Sequence, residues 1–352
     1  MSAAAVVGWD IGGAHVKAAL LRGGRLVDAA QWPCPLWQGL AHLEGALDAA
    51  RARWPGLATH AQAVTMTGEM VDLFEHREEG VARIAAALAA ALPAPRFYAG
   101  DRGWCDAAAA APAWRDIASA NWLATATQAA RACGADQGLL VDIGSTTTDL
   151  IAFGAGRVLT AARSDAERLA GGELVYRGVV RTPLCALAPR IEWRGTPLNV
   201  MAEFFATSAD VFRLTGELDP AHDQQPSADG AAKDAPHSRA RLARMIGLDE
   251  RDADAAAWLA FARAWRAEFV APLRAGIARI AAAHALGDDA LVVGAGCGAF
   301  LVPELRPAGW RHADYGGDIV RLAPDATPDA AAWAGVGAAA VAVAALCERE
   351  PR

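Results

Sequence analysis

Asp10-Ile11-Gly12-Gly13-Ala14-His15-Val16-Lys17 and Asp142-Ile143-Gly144-Ser145-Thr146-Thr147-Thr148-Asp149 share one grammar: a carboxylate ending an apolar run, then a turn of small residues. Small turn residues let backbone N–H groups point at an anion. The aspartates are placed to hold Mg²⁺, mostly through water, because that ion gives up its hydration shell reluctantly. Lys17 adds a positive charge and Ser145, Thr146 and Thr147 add hydroxyl donors. The predicted phosphate-binding set is therefore Gly12, Gly13, Lys17, Gly144, Ser145, Thr146 and Thr147, with Asp10 and Asp142 as catalytic and metal-holding carboxylates. A single copy is equally an ordinary tight turn. Two copies favour a shared binding role over a repeat retained only for folding, and aligning Asp10 with Asp142 gives an offset of 142 − 10 = 132 residues, a domain-sized internal repeat. A third glycine turn, Gly294-Ala295-Gly296-Cys297-Gly298, follows the apolar residues 291–293. Its GxGxG spacing lacks the βαβ unit and later acidic residue of a dinucleotide fold, and the chain has no GxxxxGK[ST]. A dinucleotide-dependent dehydrogenase and a P-loop enzyme are thereby disfavoured.

The elements that must position these residues follow from periodicity. Residues 5–21 read as two strands around the Gly12-Gly13 turn, and 138–143 with 149–153 repeat the pattern around 144–147. Helical spacing runs over 39–54, 81–92 and 119–132, and strand character over 61–66. Glu69 follows that strand at a Thr67-Gly68 turn, where a carboxylate faces either the site or solvent; Asp72 is a weaker substitute. Glu173, Tyr176, Arg177 and Arg181 are expected on a helix and its exit, where Glu173 and Arg177 at i, i+4 would pair. His15 is read as an anion contact or a structural histidine. Residues 215–238 are polar and rich in Pro, Gly, Asp and Ala, and predict a mobile loop or an excursion rather than a regular element. Trp258, Phe261, Ala262, Trp265 and Phe269 mark the buried stripe of a long helix.

At 352 residues two domains are expected, an N-terminal lobe over 1–135 and a C-terminal lobe over 136–352. The 33 Lys+Arg against 40 Asp+Glu give a net charge of −7 without a basic cluster, which argues against nucleic acid as a partner. Hydrophobic residues make up 54%, largely alanine spread over helices, so no membrane span is expected. Residues 1–7 run into a strand with no leader pattern, which predicts a cytoplasmic protein. Six separated cysteines without a CxxC pair predict reduced, buried thiols.

Together the three glycine turns resemble the phosphate-1, phosphate-2 and adenosine motifs of the actin/Hsp70/sugar-kinase superfamily. That implies an α/β fold of two duplicated ribonuclease-H-like (actin-like ATPase) lobes with a central cleft. The segments Val64-Thr65-Met66-Thr67-Gly68-Glu69-Met70-Val71-Asp72, Ser119-Ala120-Asn121-Trp122, residues 171–183 and Ala202-Glu203-Phe204-Phe205-Ala206 are similar to the hydantoinase/oxoprolinase-like branch. Within it they resemble tetrahydromethanopterin-linked C1-transfer pathway proteins and the related synthase family of methanofuran biosynthesis. The resemblance implies a transferase that joins an aminomethylfuran-methyl diphosphate to a tyramine-type phenol and releases diphosphate. Its partners would be small molecules, a diphosphate and a phenolic amine; a homo-oligomer is compatible with it. Mg²⁺ is the implied cofactor, and ATP can be accommodated but is not required. Glu69 would then be the base for a phenol of pKa about 10. Gly294, Gly296, Gly298, Glu173 and Arg177 would contact nucleotide or substrate. Ala14 replaces the hydroxyl residue often found after the first Gly pair, which weakens a claim of ATP cleavage. The rival enzyme is an ATP-dependent kinase or oxoprolinase-type amidohydrolase, the latter needing a partner subunit or further domain. The rival outside enzymes is an Hsp70-like nucleotide-gated binding protein.

Overall fold

A computed structural model of the chain describes residues 5–350; the first four residues of the 1–7 lead-in lie outside them. Strand β1 (Ala5–Ile11) is buried at every position and carries one charged residue, Asp10, next to its end; the rest is apolar or glycine, as expected of a strand covered on both faces. It pairs antiparallel with β2 (His15–Arg22), which pairs antiparallel with β3 (Arg25–Pro33). On its other side β1 pairs parallel with β4 (Ala61–Met66), followed by β5 (Arg96–Tyr98) and β6 (Trp104–Cys105). The sheet order is β3-β2-β1-β4-β5-β6. Trp9 and Ile11 of β1 share a core with Leu43 and Leu47 of the helix Ala41–Arg53 and with Ile84 and Leu88 of the helix Arg77–Ala91. The helix Ala338–Glu348 also packs on β1, and Gly8 is required there: a Cβ would lie 2.0 Å from Ala340 O.

The later strands are β7 (Gly138–Ile143), β8 (Thr148–Gly154), β9 (Arg157–Val158), β10 (Leu174–Val175), β11 (Arg190–Trp193), β12 (Thr196–Asn199), β13 (Leu291–Ala295) and β14 (Arg311–Asp314). Their main sheet runs β10-β8-β7-β13-β14, with β9 also on β8. Here β8, β7, β13 and β14 take the places of β2, β1, β4 and β5. The repeated hairpin is thus the local part of a repeated ribonuclease-H-like sheet, and the fold is the α/β, actin-like class expected from the sequence.

By contacts the chain forms two compact units. Among the described residues, one holds 5–140, Ile151–Arg168 and 313–350; the other holds Val141–Leu150 and Leu169–His312. The 1–135/136–352 division differs from this because the C-terminal helix packs against β1, a contact that sequence order hides. No single helix among the described residues is long and apolar enough to cross a membrane. The bent helix pair at the C-terminus is largely buried in the first unit.

Three expectations are corrected. First, Glu173, Tyr176, Arg177 and Arg181 are not on a helix: the helix ends at Gly171, and Glu173 precedes the short strand β10. Arg177 does not pair with Glu173. It donates to Glu268 O at 2.7 Å and Leu187 O at 3.1 Å. Pro272 lies inside the helix Ala255–Ala283 and lacks the N–H that would reach Glu268, four residues earlier. Arg177 supplies that carbonyl with a donor. Second, residues 235–238 of the polar segment begin the helix Ala235–Arg244, so the expected loop or excursion ends earlier, and ion pairs anchor the rest. The buried Arg241 donates to Asp210 at 2.8 Å and Asp229 at 3.0 Å, while Lys233 and Arg213 both pair with Asp223. Third, Cys34, Cys297 and Cys347 are buried, whereas Cys105, Cys133 and Cys185 are half-buried. The aromatic stripe is core as predicted, with Trp193 stacked on Trp258 at 4.5 Å between ring centres.

Candidate active site

Asp10 ends β1 opposite Lys17 on β2, whose Nζ lies 4.0 Å away. The carboxyl is only 5% exposed, and burial raises its pKa above the usual aspartate value despite the opposing effect of Lys17. Its Oδ1 is buried without a hydrogen-bond partner, which suits an anionic oxygen meant to face a cation. In the adjoining turn the Gly12 N–H donates to His15 O at 2.9 Å. The carbonyls of Gly13 and Ala14 accept from Leu36 and Cys34 at 3.0 and 2.9 Å. His15 is buried at the start of β2, where its carbonyl closes this turn.

The second turn is closed by the same bond as the first, with a different set of carbonyl acceptors. Gly144 N–H donates to Thr147 O at 2.8 Å, and Ser145 O accepts from Val180 and Arg181 at 3.1 and 2.8 Å. In both turns a later segment of the same unit takes up turn carbonyls. Gly178 makes this possible, since a Cβ would meet Thr146 N at 2.3 Å. The third turn belongs to the same arrangement. Gly298 N–H donates to Ile143 O at 2.8 Å, and a Cβ on Gly296 would fall 2.5 Å from Asp142 Oδ1. Gly294 is in close contact with Val302 instead. Each unit thus assembles a strand-end carboxylate with a phosphate-type turn, and the second adds the third glycine turn. Glu173 and Arg177 are engaged in the backbone neighbourhoods of β10 and the long helix.

Glu69 stands in the first unit on the turn that follows β4. The Thr67 N–H donates to Ile11 O at 2.9 Å, which ties this turn to the end of β1. Only 1% of Glu69 is exposed, so the solvated alternative does not hold; Asp72, by contrast, is exposed. Burial pushes its pKa up to about 7, against the opposing effects of the Ser119 hydroxyl and the Arg77 charge. Ser119 Oγ–H donates to Glu69 Oε1 at 2.9 Å. Arg77 pairs with Asp165 at 2.6 Å, and Asp165 also takes Arg168 at 3.3 Å, with that guanidinium 4.3 Å from the Trp122 ring centre. Sequence reasoning assigned no role to Ser119, Arg77, Asp165 or Arg168. Only Ser119 carried a signal, lying in a segment that resembled the family.

The helix Arg77–Ala91 presses on Glu69 through Gly80, where a Cβ would meet Glu69 O at 2.5 Å. In an open helix Gly→Ala would stabilise by about 0.5–1 kcal/mol. Here Gly80→Ala is expected to lower stability instead and to reduce turnover at least tenfold by displacing Glu69. Thermal unfolding and a rate assay would check this, and a variant of raised Tm and normal rate would refute it.

Among the described residues no group of three or more His, Cys, Asp or Glu could hold a metal. A hydrated Mg²⁺ does not need such a group.

Comparison with known proteins gives three findings. The family model described as hydantoinase/oxoprolinase matches residues 60–311. The (4-{4-[2-(gamma-L-glutamylamino)ethyl]phenoxymethyl}furan-2-yl)methanamine synthase of Methanocaldococcus jannaschii is 32% identical over 245 residues, 69% of this chain and 72% of the relative. The synthase of the same name from Methanococcus vannielii is 34% identical over 111 residues, 32% of this chain and 50% of that relative. Among solved structures, nucleotide-free acetone carboxylase aligns with a TM-score of 0.56 at 11% identity, covering 98% of this chain and 70% of that one. At that identity the likeness concerns the fold.

Proposed function

The chain belongs to the hydantoinase/oxoprolinase family, and on that premise we propose that it is a synthase of methanofuran-type cofactor biosynthesis, joining an aminomethylfuran-methyl diphosphate to a tyramine-type phenol. It is an enzyme of the transferase type. The observation that carries the reaction is Glu69: a carboxyl almost wholly buried, holding its proton to about pH 7, on a turn tied to the phosphate-type turn of the same unit. A base poised near neutrality suits a phenol.

Glu69 takes the phenolic proton, and the phenol oxygen forms a bond to the furfuryl methylene carbon. The bond from that carbon to the diphosphate oxygen breaks, and its electron pair leaves with diphosphate. In this reading the Gly13 N–H, the N–H groups of 145–147 and Lys17 are the donors that would stabilise the charge developing on the leaving group, the Gly12 and Gly144 N–H groups being bonded within their own turns. Asp10 and Asp142, each beside the glycine turn of its own unit, are the carboxylates that would hold Mg²⁺ through water, and Mg²⁺ when bound would neutralise a diphosphate. ATP takes no part in this scheme.

The test is incubation of the purified protein with the furan-methyl diphosphate, a tyramine-type phenol and Mg²⁺. Aryl ether and diphosphate should form in equal amounts without ATP, and diphosphate should bind with no preference for adenine. A requirement for ATP with release of ADP would sink the proposal. Asp142→Asn should weaken Mg²⁺-dependent diphosphate binding by roughly tenfold or more, about 1.4 kcal/mol, with circular dichroism unchanged. Unaltered magnesium dependence would remove Asp142 from the site.

A further inference from the structure

Glu69 has two carboxyl oxygens in different surroundings. Oε1 accepts the Ser119 hydroxyl at 2.9 Å, and Oε2 is buried with no hydrogen-bond partner among the described residues. Ser119 is held for this contact at a backbone φ of +52°, the left-handed region that a non-glycine residue seldom occupies. It lies between the helices Trp114–Ile117 and Asn121–Cys133, where the Ala118 N–H donates to Trp114 O at 2.8 Å and the Ala120 N–H to Ile117 O at 3.2 Å. Strain of this kind persists where the surroundings over-determine it, and it gathers at functional sites.

We infer that Ser119 is a positioning residue that fixes the Glu69 carboxyl so that Oε2 exchanges the proton with the acceptor; this rests on Glu69 being the base. With Oε1 already accepting a donated hydrogen, the proton that leaves the phenol forms its new O–H bond at Oε2. The charged groups that bear on Glu69 are Arg77, from the helix packed against it, and Asp165; Arg168 lies beyond Asp165. Arg77 and Asp165 pair with each other and act on Glu69 in opposite senses. Besides the backbone N–H of Glu69 itself, the Ser119 hydroxyl is the donor that lowers the carboxyl's pKa, and it bonds Oε1 and not Oε2.

The experiment follows the Glu69 carboxyl stretch by infrared difference against Glu69→Gln across pH, together with the pH profile of kcat/KM. Ser119→Gly relieves the backbone strain and removes the donor; Ser119→Ala removes the donor alone; Ser119→Cys keeps a weak one. Deleting a hydrogen bond to the charged form raises a carboxyl's pKa. The Glu69 titration and the acidic limb of kcat/KM should both move up by about one pH unit in the Gly and Ala variants, and by less in the Cys variant. A Ser119→Gly protein that folds and titrates as the parent does would overturn the inference. If Glu69→Gln turns over at the parental rate, the base reading fails instead, while the infrared shift still reports whether Ser119 holds Glu69.

Discussion

Glu69→Gln should lower turnover by about 10²–10⁴-fold, the usual contribution of a general base, while diphosphate affinity stays nearly constant. It should also make the protein relatively more stable as pH rises. The folded chain keeps the Glu69 proton to about pH 7, whereas the unfolded chain releases it near the ordinary glutamate value of 4.5. Between those values the folded state binds more protons, so stability is fully present below 4.5 and is lost as pH rises through 7. The window is 7 − 4.5 = 2.5 units, equivalent to about 3 kcal/mol. Glutamine does not titrate and escapes this loss, although its buried amide offsets part of the gain. Denaturant midpoints of parent and variant at pH 5 and pH 8 would measure the effect. Curves that stay parallel would show that Glu69 is ionised throughout, and a collapse of diphosphate affinity would place it with the phosphate-binding residues.

Gly296→Ala carries the second large effect. Gly296 has φ +83°, and a Cβ would sit 2.2 Å from Ile143 O and 2.5 Å from Asp142 Oδ1. The first contact is with backbone, and that carbonyl also receives the Gly298 N–H, so neither partner can move without breaking the junction of two glycine turns. Backbone strain at such a position costs on the order of 1–3 kcal/mol, and overpacking adds a similar amount. A displacement of about 1 Å in the catalytic set typically lowers the rate about 10²-fold. Gly296→Ala is therefore expected to be destabilised by more than about 2 kcal/mol, and its residual folded fraction to turn over about 100-fold slower. Gly195→Ala is the control: its φ is +81° with nothing within 4 Å, so it should cost about 1 kcal/mol of strain and leave the rate alone. Equal behaviour of the two variants would mean that conformational strain, not contact with Asp142, governs position 296.

The sequence by itself determined the glycine turns, the aspartates before them and the 132-residue repeat, because turn chemistry and strand alternation act over a few neighbouring residues. The same short-range signals found the helices over 41–53 and 77–91 to within a few residues, and the buried aromatic stripe of the long helix. The helix expected over 173–181 failed because i, i+4 charges also occur in an irregular segment. Nothing local says that Arg177 serves a carbonyl stranded by Pro272, which is distant in sequence. The tertiary structure decided that the C-terminal helix returns to β1 and that the polar 215–234 stretch is pinned by ion pairs. It also decided that Glu69 is buried rather than solvated. Glu69 meets Ser119 across 119 − 69 = 50 residues, and Arg77 meets Asp165 across 165 − 77 = 88. A carboxyl's proton affinity is set by what surrounds it in space, through desolvation and neighbouring donors, and those surroundings come from segments that no periodicity connects.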